Sequence, residues 1–261
     1  MSTLIPHDNH SPGGASNGAP PTAPRAVTLT TPVRPRRPST VTLKVTMAIT
    51  GLVFAAFVLV HMIGNLKIYT GATHFDDYAH WLRTLGEPLL PREGALWIFR
   101  VVLLGCLIAH VVSSVMLIGR AHRARGRFRR RAMGIRRVPA TLMPYTGIAL
   151  LVFIVIHILD LTTGTAPVAS SGFTATSADT SYAYTNVVES LQRWPMAVFY
   201  LLVMVALGLH LVHGLWSVIT DLGATGARTR RVGAYLALVV AVVVMLGNIT
   251  IPIAVLCGWV G

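Results

Sequence analysis

Apolar residues gather into five runs, at about residues 43–66, 95–118, 140–161, 196–219 and 233–258, separated by segments dominated by polar, charged, Gly and Pro positions. Each run is near the roughly 20 residues that a helix needs to cross a bilayer. Only a helix satisfies the backbone of a single segment within lipid. The pattern predicts an all-α membrane protein, with five transmembrane helices forming a bundle over residues 41–261. Residues 1–40 are rich in Pro, Gly, Ser and Thr, hold no apolar run long enough for a signal peptide, and predict a disordered or extended arm. Five crossings place the termini on opposite sides. The connections 67–94 and 162–195 are each long enough to form a lid at the membrane surface.

Composition agrees with this pattern. Of 261 residues, 53% are apolar and 12% charged, and the mean hydropathy is +0.63; a soluble domain carries about twice that charged fraction. Two cysteines exclude a disulfide scaffold, a CxxC zinc site and a four-cysteine ferredoxin cluster within the chain. The formal charge of +13 changes meaning once its location is read. Nine arginines lie between Arg120 and Arg137, in the second connection, which marks that loop as cytoplasmic. Arg25, Arg34, Arg36, Arg37 and Lys44 of the N-terminal segment and Arg228, Arg230 and Arg231 of the fourth connection fall on the same side. The opposite side carries five basic and seven acidic residues. This asymmetry places the N-terminus in the cytoplasm and the C-terminus outside, and no nucleic-acid partner is expected. The arginine loop also offers a surface for an acidic partner or anionic lipid.

Ionisable residues at bilayer depth are rare and usually functional. The first four runs each contain a histidine: His61, His110, His157 and His210. Counting from each midpoint at about 1.5 Å per residue puts His61 and His157 about 9 Å toward the outside and His110 and His210 about 5 Å toward the cytoplasm. Two imidazoles on opposing helices at one depth are what bis-histidine haem ligation needs, and two levels about 14 Å apart fit two stacked haems. Gly51 precedes His61 by ten residues, and Gly147 precedes His157 by ten. Each glycine thus lies near the depth of the other pair, where a bare helix surface admits a flat macrocycle. Interhelical hydrogen bonding without a cofactor is the alternative use of such histidines. His74 and His80 fall in an outer loop and His122 in the arginine loop, where solvation is the default. A Rieske-type 2Fe–2S centre would need Cys106 and Cys257 beside two histidines. The count puts Cys106 near the midplane and Cys257 about 14 Å outward, which argues against it.

The segments HMIGNLKIYTG, DDYAHWLRTLGEPLL, LWIFRVVLLGCLIAH, HILDLTTG and YTNVVESLQRWPMAVFYLLVMVALGLHLVHGLWSV together resemble the single-chain, five-helix cytochrome b membrane anchor (b558 type) of succinate dehydrogenase and fumarate reductase. The likeness runs from about residue 43 to 258; the arginine-rich second connection departs from it. The resemblance implies that His110 and His210 hold haem b nearer the cytoplasm and that His61 and His157 hold a distal haem b. It implies two partners on the cytoplasmic face, an FAD-containing succinate dehydrogenase subunit and an iron–sulfur subunit, and a place in a bacterial-type cytoplasmic membrane. It leaves a higher oligomer open. The chain has no dinucleotide fingerprint or cluster motif of its own, so no dehydrogenase activity is expected of it alone.

The resulting expectation is an electron-carrying anchor of respiratory complex II that reduces a quinone, menaquinone by analogy with the family. Quinone reduction needs a proton donor and hydrogen-bond partners near a membrane surface. Outer candidates are Asn65, Lys67, Tyr69, Tyr78, Trp97, Arg100 and Asp160; inner ones are Ser113, Ser114, Tyr145, His213 and Trp216. The rival readings are a haem-free anchor with a quinone site, the Rieske-type centre in place of haem, and a transporter using the histidines as a proton relay.

Overall fold

The computed structural model describes residues 38–125, 138–223 and 226–261. Nearly all of the expected N-terminal arm, and the arginine-rich connection from residue 126 on, lie outside the described residues. The helices are α1 (Thr40–Asn65), α2 (Ala72–Thr84), α3 (Gly94–Arg125), α4 (Val138–His157), α5 (Ala183–Gln192), α6 (Trp194–Asp221) and α7 (Ala227–Leu256). A 3₁₀ turn, Leu66–Thr70, extends α1, and a π turn, Ile158–Thr162, extends α4. Helices α1, α3, α4, α6 and α7 are long and apolar enough to cross a membrane. They coincide with the five apolar runs.

The outward faces of these helices are apolar, as lipid requires. On α3, Val101, Leu104, Ile108, Val112 and Val115 recur at three- and four-residue spacing and are all exposed. Between helices, small residues allow close approach. A Cβ built on Gly208 of α6 would stand 2.7 Å from Met245 Sδ of α7. Beside it Ala241, Val244, Met62, Leu211 and Ala55 form a buried cluster of α1, α6 and α7. Gly208→Leu is therefore expected to lower the melting temperature of the purified protein, an overpacking effect of about 1–3 kcal/mol. Gly105→Leu on α3 is the control, because nothing lies within 4 Å of its Cβ position.

The two long connections each contain a short helix, α2 after α1 and α5 before α6, that packs against the other at one end of the bundle. Phe75 meets Tyr184 edge-on at 6.4 Å between centroids. Asp76 Oδ1 accepts from the Tyr184 N–H at 2.9 Å, satisfying a donor that the first turn of α5 cannot use internally. Ile68, Val188, Leu191, Tyr200, Ile251 and Val255 complete the cluster beneath them. At the opposite end Ser39 caps α1 by accepting from the Thr42 N–H at 3.0 Å. There Lys44 pairs with Asp221 at 2.9 Å, joining α1 to α6.

Candidate cofactor-binding site

The four histidines meet as two pairs, three of them partly buried and His61 exposed at the bundle surface. His61 of α1 faces His157 of α4 with ring centroids 5.9 Å apart and planes at 90°. His110 of α3 faces His210 of α6 at 6.4 Å and 54°. Two imidazoles that bind one metal from opposite sides, each through a bond of about 2 Å, place their centroids about 6 Å apart. Both pairs have the separation that bis-histidine ligation of haem iron requires.

Hydrogen-bond partners favour one tautomer at three of the four rings. Thr50 Oγ1 donates to the Thr46 carbonyl at 2.7 Å, so toward His110 Nδ1, 3.1 Å away, it is an acceptor. Thr146 Oγ1 donates to the Leu142 carbonyl at 3.1 Å and faces His210 Nδ1 at 3.1 Å in the same way. Tyr200 donates its hydroxyl hydrogen to Asp160 Oδ2 at 3.2 Å and accepts from His157 Nδ1, also at 3.2 Å. Each Nδ1 then carries the hydrogen, leaving Nε2 free for a metal, the arrangement typical of ligating histidines. His61 stacks on Phe57 at 5.4 Å.

The glycines lie where the spacing placed them. A Cβ on Gly51 would stand 3.4 Å from His110 Cε1, and one on Gly147 3.6 Å from His210 Cε1. Thr50–Gly51 and Thr146–Gly147 thus flank the His110/His210 pair from α1 and α4. Because Gly51 lies beside His110 and His61 follows ten residues later on α1, the two levels are about 15 Å apart along the helix. The donor set and the glycine cradle fit two haem groups.

They do not fit a Rieske-type centre. That centre needs two cysteines and two histidines together, and among the described residues no group of three or more His, Cys, Asp and Glu side chains converges. Cys106 and Cys257 are free thiols, Cys106 partly buried on α3 and Cys257 exposed at the end of α7.

A sequence model of the succinate dehydrogenase/fumarate reductase transmembrane subunit family matches residues 141–249, which carry His157, His210, Asp160 and Tyr200. The match covers 109 of the 261 residues, and over that stretch the chain is similar to this family. The chain's five helices long and apolar enough to cross a membrane give the architecture of a multi-pass membrane protein. No curated protein and no solved structure gives a significant match to the chain.

The quinone contacts expected from the sequence fall into separate groups. At the α2/α5 end, Lys67 Nζ lies 5.2 Å from the centroid of Tyr78. The Tyr78 ring packs on Gly64, three residues past His61, and Tyr78 stacks on Trp81 at 5.9 Å. Asn65, next to Gly64, is partly exposed, and Tyr69 is exposed. Arg100 lies over Trp97 at 4.8 Å and pairs with Glu93 at 3.6 Å. At the opposite end the candidates are dispersed: Ser113 is buried, Ser114 and His213 are partly buried, and Tyr145 is exposed. Trp216 lies 5.9 Å from Arg230.

Asp160 differs from the reading as a quinone contact. It is 1% exposed, and protein donors occupy both its oxygens. Oδ1 accepts from Arg193 Nη2 at 2.7 Å, and Oδ2 accepts from Ser190 Oγ at 2.5 Å as well as from Tyr200. The π turn directly after His157 carries this carboxylate, a helix distortion often found at functional sites. Arg193 also donates to the Val168 carbonyl at 2.7 Å. Its side chain borders a largely apolar cleft of about 280 Å³ with Ile156, Pro167, Pro195, Met196 and Phe199. Ser190, Arg193, Tyr200, Thr50 and Thr146 were absent from the sequence-based candidates. The repeated Thr-Gly eleven and ten residues before His61 and His157 was a legible signal for the two threonines.

Proposed function

We propose that this subunit carries electrons from an iron–sulfur subunit to a membrane quinone, through haem b held by His110/His210 and by His61/His157. Haem bound at each pair supplies a one-electron carrier. The observation that carries the reading is the paired separation of 5.9 and 6.4 Å at two levels of one bundle. In this reading the positive-inside asymmetry puts the α2/α5 end outside and the opposite end in the cytoplasm of a bacterial-type membrane, where the flavin and iron–sulfur subunits dock.

The chain's own residues support this in definite ways. Thr50, Thr146 and Tyr200 hold three imidazoles through Nδ1, leaving Nε2 free for a metal. Gly51 and Gly147 keep space beside the His110/His210 pair. Arg100 and Lys67 give positive charge at the α2/α5 end of the bundle, suited to a haem carboxylate or a quinone oxygen. Tyr78, packed on Gly64 next to the His61 turn, is the best-placed proton donor for an outer quinone, menaquinone by the family likeness.

The test is isolation of the tagged chain from membranes of the native host. Flavoprotein and iron–sulfur subunits are expected to accompany it, and the complex is expected to reduce a menaquinone analogue with succinate. Succinate oxidation by an artificial acceptor with no quinone reduction in the same preparation would overturn the proposal.

A further inference from the structure

The two histidine pairs differ in what stands behind them. His110 and His210 bond neutral threonines whose hydroxyl hydrogens return to their own helix. His157 alone reaches a buried carboxylate: Nδ1–H donates to Tyr200, 3.2 Å away, and Tyr200 donates to Asp160 Oδ2 at 3.2 Å. Arg193 closes the chain with its guanidinium 2.7 Å from Asp160 Oδ1, its side chain 32% exposed against 0% for Asp160. The order from the metal position outward is thus imidazole, phenol, carboxylate, guanidinium.

We propose that Asp160 is a positioning residue that lowers the reduction potential of the centre at His61/His157 through Tyr200, with Arg193 as the counter-charge that limits the effect. The inference rests on the haem reading above. A buried negative charge favours the more positive, oxidised state of a metal, and a hydrogen bond running from Nδ1–H toward a carboxylate makes the imidazole a stronger donor. Arg193 opposes this because its positive charge lies on the far side of Asp160. Ser190, bonded to the same carboxylate oxygen as Tyr200, holds the rotamer. The sign of the effect of each residue follows from its charge and place in the chain.

The test is a spectroelectrochemical titration of the whole complex, comparing both b centres in the parent and in Asp160→Asn, Tyr200→Phe and Arg193→Gln. Asp160→Asn and Tyr200→Phe are expected to shift the His61/His157 centre about tenfold toward the reduced form, about +59 mV for one electron. Arg193→Gln is expected to shift it the other way, and Asp160→Glu to restore the parent value. The His110/His210 centre serves as the internal control and should stay unchanged. Tyr200→Phe keeps the ring packed, so it tests the chain even if an Asp160 variant fails to assemble. In the Tyr200→Phe background, Asp160→Asn should add less than it does alone. Shifts of equal sign for Asp160→Asn and Arg193→Gln, or an unmoved potential in Tyr200→Phe, would overturn the inference. Absence of any b-type spectrum in the parent would instead overturn the haem reading itself.

Discussion

Replacing His157 with alanine is expected to leave one haem per chain, the one at His110/His210. The His61/His157 separation of 5.9 Å leaves no second imidazole to take its place, and haem iron held by histidine on one side only loses half of its protein bonding. Succinate oxidation by an artificial acceptor should persist, because the proposed function assigns that chemistry to partner subunits. Quinone reduction should fall by about 100-fold or more, beyond the 10–100-fold typical of losing a supporting residue behind a ligand. Haem content, acceptor-linked activity and quinone-linked activity measured on one preparation check all three outcomes. Unchanged haem and unchanged quinone turnover would contradict the assignment of His157.

Gly147→Leu is expected to empty the other pair. The Cβ alone would lie 3.6 Å from His210 Cε1, and the three further carbons of leucine extend into the space beside the imidazole. Helix formation does not explain such a loss, since leucine is favoured over glycine within a helix by several tenths of a kcal/mol. The haem lost should therefore be the one at His110/His210, with the His61/His157 centre still titrating. Gly51→Leu, whose Cβ approaches His110 Cε1 at 3.4 Å, should give the same result from the other side. A full haem complement in both variants would show that the glycines do not form the cradle.

The parts of this structure that repeat at helical period were legible in the chain. Apolar runs near bilayer length gave the five long helices, and counting residues from each midpoint matched His61 with His157 and His110 with His210. Gly51 and Gly147 could be read because their ten-residue spacing converts directly into depth. Helices α2 and α5 were read only as lids. Their apolar faces are short and meet each other across more than a hundred residues of chain, as in the bond from Tyr184 to Asp76. Asp160 was read as a ligand contact because a carboxylate near a helix end has many uses. Its actual partners, Ser190, Arg193 and Tyr200, lie 30 to 40 residues away, and no periodicity in the sequence ties them to it. The tautomers of the histidines depend on whether Thr50 and Thr146 return their hydrogens to their own helices, which only coordinates show.

The most direct measurement is a dithionite-reduced minus oxidised absorption spectrum of the purified complex, with haem quantified per chain on the same sample. A b-type band with two haems per chain is the result that two His pairs near 6 Å predict. A preparation without haem that still reduces quinone with succinate would contradict the account, leaving the four histidines as hydrogen-bonding groups of the bundle.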